Sequence, residues 1–316
     1  MSAELRVGTC AWVEKGLIAD WYPKTATTAE ARLRYYAEHF DTVEVDSSYY
    51  AIPAERTVFN WAQRTPPGFV FHIKAFGLMT GHRVRPEQLP TDLRTLVDEV
   101  TAQGNVVPSD ALRDRVFARF RRALDPLRAE GKLGGVLFQL PPSAVPGRAA
   151  WELIDHARTQ LPDDELLVEF RQRDWLAPDL QEETLSSLRE RGLTYVVVDA
   201  PDVSTANVAQ TVVATTSDTA YVRFHGRNAG TWNARGGGAS ARFDHLYADA
   251  ELEEWVEPLR ELARATSKAY AMFNTNADTQ GPDNADRLRQ LLVAHHVPVR
   301  PAPGPAQGRS EEHTSE

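Results

Sequence analysis

Short apolar runs that end in polar residues recur along the whole chain. The first run covers residues 5–10, and each of the seven later runs ends in charged or amide side chains. These later runs cover residues 42–46, 70–74, 135–139, 166–171, 194–199, 220–225 and 268–276. In a parallel barrel, apolar side chains fill the interior and functional residues lie at the carboxyl ends of the strands. The pattern therefore predicts eight parallel barrel strands.

Helical patterns lie between the apolar runs. Thr27 and Glu30 have the spacing of a capping box ahead of an amphipathic segment, and residues 110–130 carry one apolar stripe with arginines opposite. No G-x-G-x-x-G motif follows the first run, so the dinucleotide-binding fingerprint is absent. Alternating strands and helices imply right-handed crossovers and a parallel sheet. We predict an α/β protein with a single (β/α)8 TIM-like barrel over residues 1–297.

Two connections and the C-terminal segment depart from this regular alternation. An enlarged loop after strand 3 covers residues 76–109, and both a lid and a passive elaboration are consistent with its length. A glycine-rich loop after strand 7 covers residues 226–240. Residues 298–316 are first rich in Pro, Ala and Gly and then polar, which predicts a disordered tail. The last eight residues, RSEEHTSE, resemble translated sequencing-adapter sequence, an artefact of gene models.

Composition narrows the classes of function. The 316 residues are enough for one barrel of about 250 residues with insertions. The formal net charge of -9 makes nucleic acid an unfavourable partner, because such binding depends on neutralising phosphates. A single cysteine, Cys10, excludes an intramolecular disulfide and a four-cysteine metal site. Without a signal-like segment or an apolar run of roughly 20 residues, we expect a cytoplasmic protein with no membrane association. The oligomeric state is left open.

Strand alternation predicts which polar side chains meet at the barrel mouth, the end where the strands' carboxyl termini lie. Residues two apart share a face of a strand, and charges facing the outer helices would cost several kcal/mol each unless paired. We therefore expect the polar pairs to point inward. The predicted mouth set is Asp46, Lys74, Gln139, Arg171, Asp199, His225 and Asn276, above Glu44, His72, Glu169, Arg223 and Asn274. Any one of these charges could instead form a structural salt bridge inside the barrel.

The residue types at the mouth favour acid/base chemistry on a small polar or anionic substrate, such as a phosphorylated sugar or a nucleotide fragment. We expect catalytic roles for Glu169, His225 and Asp46, with Glu169 as the acid/base group and His225 as a second proton-transfer group. The predicted substrate-binding residues are Lys74, Arg171, Arg223, Asp199, Asn274, Asn276, Gln139, Tyr50 and Trp12. Arginines and glycines in the loop after strand 7 would suit a phosphate group.

Two other functions remain open. The carboxylates and histidines of the predicted set could bind a divalent metal for hydrolysis, although H-x-H and H-E-x-x-H spacings are absent and cations crowd the same mouth. No cofactor is predicted. A third hypothesis is a ligand-binding or nucleic-acid-binding module without catalysis.

The segments that carry these residues resemble the YecE-like family, also called domain of unknown function 72. The matching segments are VGTCAW at 7–12, WYP at 21–23, TVEVDSSYY at 42–50, QLPP at 139–142, EFR at 169–171 and FNTN at 273–276, with Tyr221, Arg223, His225 and Gly226. The resemblance extends over residues 5–295 and implies a TIM-barrel fold. It implies no established activity.

Overall fold

The protein folds around a closed parallel barrel of eight strands. The computed structural model describes residues 3–201, 211–232 and 243–304. The strands are β1 (Leu5–Thr9), β2 (Thr42–Val45), β3 (Val70–Lys74), β6 (Leu133–Gln139), β7 (Leu166–Glu169), β8 (Thr194–Asp199), β9 (Thr219–Phe224) and β10 (Lys268–Phe273). They close in this order, with β10 pairing parallel to β1 from Leu5↔Ala269 to Thr9↔Phe273. The predicted barrel is confirmed.

Helices connect the strands and cover the outside of the barrel. They are α1 (Ala29–His39), α2 (Glu55–Gln63), α3 (Thr91–Arg94), α4 (Asp110–Ala123), α5 (Asp125–Ala129), α6 (Arg148–Gln160), α7 (Gln181–Glu190), α8 (Ala229–Trp232), α9 (Asp249–Glu253), α10 (Val256–Ala265) and α11 (Gln280–Ala294). The predicted cap of α1 is wrong by one residue, because Thr28 Oγ1 accepts the bond from the Ala31 amide at 3.0 Å. The single helix predicted over residues 110–130 is divided at Leu124, just before Pro126, which lacks the N–H that a continuous helix needs.

An apolar layer fills the barrel below its mouth. Its inward side chains are Cys10, Leu137, Leu167, Val196, Val198, Tyr221, Tyr270 and Met272. His72 lies in this layer, edge-on to the Tyr221 ring at 4.8 Å and the Tyr270 ring at 4.4 Å. Neither ring nitrogen of His72 has a hydrogen-bond partner among the described residues, and burial lowers its pKa to about 3. His72 is therefore neutral and part of the packing.

The glycine at position 134 makes room for His72. A Cβ atom built there would lie 2.5 Å from His72 Cε1 and 2.4 Å from a methyl carbon of Val70. Only glycine therefore allows β6 to approach the His72 ring this closely.

The first residues of the enlarged loop after β3 are packed against the barrel. Phe76 and Met79 are buried, and the Gly77 amide donates to the Tyr49 carbonyl at 3.0 Å. Further along, β4 (Glu99–Val100) and β5 (Val106–Val107) form an antiparallel hairpin. The buried beginning of the loop holds Tyr49 in place beside the mouth.

The prediction of a disordered tail from residue 298 is wrong for residues 298–304. The Leu5 amide donates to Pro298 O at 2.9 Å, the Arg300 amide donates to Leu5 O at 2.8 Å, and the Gly304 amide donates to Glu38 O at 2.9 Å. The first two bonds form a parallel bridge between Leu5 of β1 and Val299, and the third joins the segment to the end of α1. The composition of the segment does not reveal these contacts. Residues 305–316, like residues 233–240 of the glycine-rich loop, lie outside the described residues.

Within residues 3–201, 211–232 and 243–304, no helix combines the length and the apolar character that a bilayer span requires.

Candidate functional site

Arg223 is the centre of a buried ionic network just below the mouth. From β9 it donates Nη2–H to Glu44 Oε1 at 2.6 Å and Nη1–H to Glu169 Oε2 at 2.5 Å. The side chains of all three residues are 0% exposed. Charges so completely removed from water are tolerated because they are paired and hydrogen-bonded. We call Glu44, Glu169, Arg223, His225 and Asn274 the polar layer.

Two carboxylates face the same guanidinium nitrogen. Arg223 Nη2 lies 2.6 Å from Glu44 Oε1 and 3.5 Å from Asp46 Oδ1, while the Tyr221 hydroxyl donates to Glu44 Oε2 at 2.7 Å. Burial raises the pKa of Glu44 to about 7, with Asp46 adding to the rise and Arg223 opposing it. Although burial works against it, Lys74 and Arg223 hold the pKa of Asp46 below its usual value. The pair therefore retains one proton up to near-neutral pH, on Glu44.

His225 is held in one tautomer between an amide and a carboxylate. Asn274 Nδ2 lies 2.9 Å from His225 Nδ1, and His225 Nε2 lies 3.2 Å from both Glu169 Oε1 and Arg171 Nη1. With the Asn274 amide donating to Nδ1, the ring proton lies on Nε2 and points to Glu169 Oε1, which Arg171 also binds. Burial lowers the pKa of His225 to about 3. The imidazole is therefore neutral and acts as a donor to Glu169.

Glu169 is ionised near neutral pH in the polar layer. Arg171 Nη1 donates to its Oε1 at 3.1 Å, and Arg223 binds its Oε2. Despite burial, Arg223, His225 and Arg171 hold the pKa of Glu169 well below its usual value. This environment does not suit the acid role predicted from the sequence, since the carboxyl group is neither protonated near neutral pH nor exposed.

Gln139 and Arg171 complete the rim of the polar layer. Gln139 Oε1 accepts from Arg223 Nη1 at 3.3 Å. The Arg171 guanidinium lies 5.3 Å from the centre of the Trp232 ring and is nearly buried. Both side chains are thus engaged by protein groups at the positions predicted for substrate contacts.

The mouth cavity opens above the polar layer and has a volume of about 290 Å³. Its lining residues are Ala11, Trp12, Val13, Glu14, Val45, Asp46, Ser47, Tyr50, Lys74, Phe243, Asn274 and Asn276. It brings together six of the residues predicted from the sequence: Asp46, Lys74, Asn274, Asn276, Tyr50 and Trp12. These six, rather than the polar layer as a whole, are the predicted residues that a ligand in this cavity could touch.

Asp46 and Lys74 form the charged pair of the mouth cavity. Lys74 Nζ lies 3.3 Å from Asp46 Oδ1 and 5.2 Å from the centre of the Tyr49 ring. Asp46 begins a short 3₁₀ turn, and the Ser48 hydroxyl in that turn hydrogen-bonds the carbonyls of Val45 at 2.7 Å and Lys74 at 2.6 Å. This bridge between the ends of β2 and β3 fixes the two charges relative to each other. A quarter of the Asp46 side chain is exposed, so it can reach a ligand.

Asn276 presents an acceptor to the same cavity. No described residue donates a hydrogen bond to Asn276 Oδ1, although the atom is buried. Buried acceptors are normally bonded, so a ligand donor that reached this carbonyl oxygen from the cavity would satisfy it.

Glu14 is a lining residue that sequence reasoning missed. It lies in the loop after β1, and burial and then Asp46 raise its pKa. A position just after the carboxyl end of a barrel strand is the signal that could have identified it.

The two aromatic residues predicted for the mouth lie there in different ways. Trp12 is mostly buried, edge-on to the Trp61 ring at 5.5 Å. Tyr50 is 57% exposed, with its ring 5.0 Å from that of Tyr49. Tyr50 is therefore the aromatic side chain with surface to offer a ligand.

The inward orientation predicted for Asp199 is wrong. Val196 and Val198 of β8 face the barrel interior, so Asp199 faces the outer layer. There it accepts from Arg227 Nη2 at 2.9 Å, from the Tyr247 hydroxyl at 2.5 Å and from Trp255 Nε1 at 3.2 Å. Charges facing the helices are costly only when unpaired, and this one is paired, which is why the assumption fails here.

The arrangement does not favour the metal hypothesis. Among the residues that the structure describes, no group of three or more His, Cys, Asp and Glu side chains could hold a metal ion. The Arg223 guanidinium occupies the space between Glu44 and Glu169, and His72 lies in the apolar layer below. The candidate ligands are thus separated or already bound to a cation.

Comparison with known proteins gives one consistent family. Residues 6–308 match the family described as "Protein of unknown function DUF72". The chain is 30% identical over 298 residues to the UPF0759 protein YunF of Bacillus subtilis, covering 93% of this chain and 97% of YunF. It is 28% identical over 189 residues to the UPF0759 protein YecE of Escherichia coli, covering 58% of each chain.

Solved structures of the same family share the fold. A DUF72 family protein from Thermotoga maritima superposes with a TM-score of 0.73 at 29% identity, covering 92% of this chain and 99% of the other. A DUF72 family protein from Enterococcus faecalis gives a TM-score of 0.75 at 21% identity, covering 92% and 95%.

Proposed function

The chain belongs to the DUF72 family, and from its own residues we propose that it is an enzyme that performs acid/base chemistry on a small polar substrate in the mouth cavity. The observation that carries the proposal is the pairing of Glu44 and Asp46 around Arg223 Nη2. One carboxylate of the pair is buried and keeps a proton to about neutral pH, and the other reaches the cavity. Pairs of carboxyl groups with separated pKa values are typical of acid/base sites.

Asp46 is the proposed group that exchanges a proton with the substrate. Alone it would be a weak base, because Lys74 and Arg223 depress its pKa. Glu44 and Asp46 face the same Arg223 guanidinium, so the two carboxyl groups titrate as a pair. As the pH rises, this pair loses its remaining proton near pH 7. A proton-transfer group works best when its pKa lies near the working pH, and it contributes about 10²–10⁴-fold to rate.

Lys74 and the two asparagines complement this proton transfer. The Lys74 ammonium lies beside Asp46 and would stabilise negative charge that develops on the substrate when its proton leaves. Asn274 and Asn276 line the cavity next to it and would orient the substrate.

The remaining predicted catalytic residues take positioning roles in this proposal. Glu169 and His225 are fully buried and bonded to each other, so they act through Arg223 rather than on a substrate. Arg223 in turn sets the charge that Glu44 and Asp46 share.

Two measurements test the proposal. Carboxyl ¹³C NMR of the labelled protein should show one member of the Glu44/Asp46 pair titrating near pH 7; ionisation of both below pH 5 would contradict the shared proton. Turnover is followed by ¹H NMR in D₂O with a panel of aldoses, ketoses and their phosphates, which reveals both new products and exchange of C–H for C–D.

Paired variants decide whether Asp46 carries the reaction. Asp46→Asn should slow turnover by about 10²–10⁴-fold. Asp163→Asn, which changes an exposed surface carboxylate, should leave turnover unchanged. Equal rates in Asp46→Asn and the unmodified protein would rule Asp46 out, and binding without turnover would favour a ligand-binding module.

A further inference from the structure

Arg223 and Arg171, the arginines predicted to contact the substrate, already bind carboxyl groups of the protein. Arg223 is wholly buried between Glu44 and Glu169, so no ligand can reach it. Arg171 is bound to Glu169, and its side chain is only 7% exposed. The two arginines expected to clamp an anion therefore serve the polar layer.

The charged groups that line the mouth cavity within the described part of the chain are net negative. Among the described residues, Lys74 is the cation of the lining, and Asp46 and Glu14 are its carboxylates. The ammonium of Lys74 is already paired with Asp46 at 3.3 Å. A phosphate group would add up to two negative charges beside these carboxylates, and like charges at close range are repelled most strongly where water is partly excluded.

The mouth cavity offers several acceptors to a ligand beside the donors of Lys74, Ser47 and Tyr50. Asn276 Oδ1 has no donor among the described residues, and the ionised carboxylates of Asp46 and Glu14 are acceptors with no proton to donate. Acceptors of this kind are satisfied by hydroxyl groups of a ligand. Since a buried unpaired acceptor costs about 1–3 kcal/mol, a ligand hydroxyl at Asn276 would remove that cost.

Apolar surface in the cavity complements the C–H faces of such a ligand. Tyr50, Trp12 and Phe243 contribute rings to the lining, and Tyr50 is the most open of the three. The volume of about 290 Å³ lies at the lower end of the usual range for ligand pockets, about 300–1,000 Å³. The cavity is therefore suited to one small ring.

We propose that the mouth cavity binds a neutral polyhydroxylated molecule of monosaccharide size, in preference to its phosphorylated form. The hydroxyl groups donate to Asn276 Oδ1 and Asp46, and a C–H face packs on Tyr50. This substrate class rests on the proposed function, but binding is measured without turnover, so the two can fail separately.

Saturation-transfer NMR and isothermal titration calorimetry test this inference on the full chain. The neutral probes are D-glucose, D-fructose, D-xylose and myo-inositol, and each is compared with its monophosphate. D-glucosamine is tested as a separate probe. We expect at least one neutral probe to bind at least tenfold more tightly than its phosphate. Tighter binding of a phosphate or of D-glucosamine, or no binding of any neutral probe at 50-fold molar excess over 1 mM protein, overturns the proposal.

Variants tie the binding to the cavity. Asn276→Ala should weaken binding of the neutral probe by about tenfold, equivalent to about 1.4 kcal/mol. Asn276→Asp, which keeps an acceptor at the same place, should retain most of it, and Asn105→Ala on the distant hairpin loop serves as the control. Unchanged binding in Asn276→Ala also overturns the proposed contact. Binding that survives in Asp46→Asn while turnover is lost would support the ligand class and the catalytic role independently.

Discussion

Arg223 and Glu44 form an ion pair at 2.6 Å that joins residues 179 positions apart in the chain. Neither side chain is exposed, and the pair crosses the barrel interior from β9 to β2. The second terminal nitrogen of Arg223, Nη1, binds Glu169 on β7. One guanidinium therefore connects three strands below the mouth. The same contact that holds the barrel interior together sets the protonation of Glu44.

Removal of Arg223 should therefore destabilise the fold strongly. Arg223→Met leaves Glu44 and Glu169 buried without their main cation, and breaking a buried pair costs about 3–5 kcal/mol. Urea unfolding monitored by circular dichroism measures the change. Arg121→Met, which removes an exposed pair with Asp163, should cost less than about 1 kcal/mol. Similar losses in the two variants would show that the buried network contributes no more than a surface pair.

The protonation of Glu44 predicts a pH-dependent difference between the protein and its Glu44→Gln variant. The folded pKa of Glu44 is about 7, above the usual 4.5, so the folded state keeps a proton that the unfolded state releases. Stability from this group is therefore lost as pH rises from about 4.5 to 7. The glutamine amide in the variant imitates the protonated carboxyl group and has no such loss. Relative to the unmodified protein, Glu44→Gln should gain stability between pH 5 and pH 8, by about 3 kcal/mol at most.

Unfolding titrations at several pH values give this difference. The low pKa of Glu169 acts in the opposite direction, with stability lost as pH falls below about 4.5, and it cancels because both proteins retain Glu169. The control is Glu182→Gln on the exposed face of α7. The stability difference between this variant and the unmodified protein should not change between pH 5 and pH 8. A constant difference between Glu44→Gln and the unmodified protein would mean that Glu44 is ionised throughout.

The tautomer of His225 predicts the effect of an isosteric change at Asn274. In Asn274→Asp, the amide donor to His225 Nδ1 becomes a carboxylate acceptor, while Nε2 still faces Glu169. Both ring nitrogens then face carboxylates, so the pKa of His225 should rise from about 3. Nitrogen-15 NMR of the imidazole distinguishes the neutral Nε2–H form from the cation. His72, which contacts no carboxylate, should stay neutral in both proteins and acts as an internal reference. A cationic His225 in the unmodified protein at pH 6 would contradict the assigned network.

Much of the barrel interior could be predicted from strand alternation alone. Glu44 and Asp46, His72 and Lys74, and Arg223 and His225 all share the faces expected of residues two apart. In each of these pairs the residue between the two polar ones, Val45, Ile73 or Phe224, is apolar and buried on the opposite face. Asp199 departs from this pattern because residues 195–198 are apolar on both faces, so the run itself does not say which face is inside.

The roles of the residues could not be predicted from sequence in the same way. Glu169 and Glu44 have the same side chain and both lie in the polar layer, yet their pKa values move in opposite directions. The difference comes from the charges around each carboxyl group: Asp46 beside Glu44 adds to the rise, whereas His225 and Arg171 join Arg223 in lowering the pKa of Glu169. These neighbours depend on distances across the barrel. For the same reason the sequence favoured Glu169 as the acid, whereas the geometry favours Asp46 with Glu44.

The outward orientation of Asp199 leads to a last prediction, which separates a structural carboxylate from a ligand-binding one. Asp199→Asn keeps the shape of the side chain but removes the charge that Arg227 pairs with, and its amide nitrogen cannot accept from Tyr247 or Trp255. Hydrogen bonds to charged groups contribute about 1.5–3 kcal/mol each, and Arg227 is partly exposed, so we expect a loss of about 2 kcal/mol in unfolding free energy. Binding of the neutral probe should be unchanged, because Asp199 is absent from the lining of the mouth cavity. If Asp199→Asn instead weakened binding as Asn276→Ala does, without loss of stability, the original inward placement of Asp199 would have to be restored.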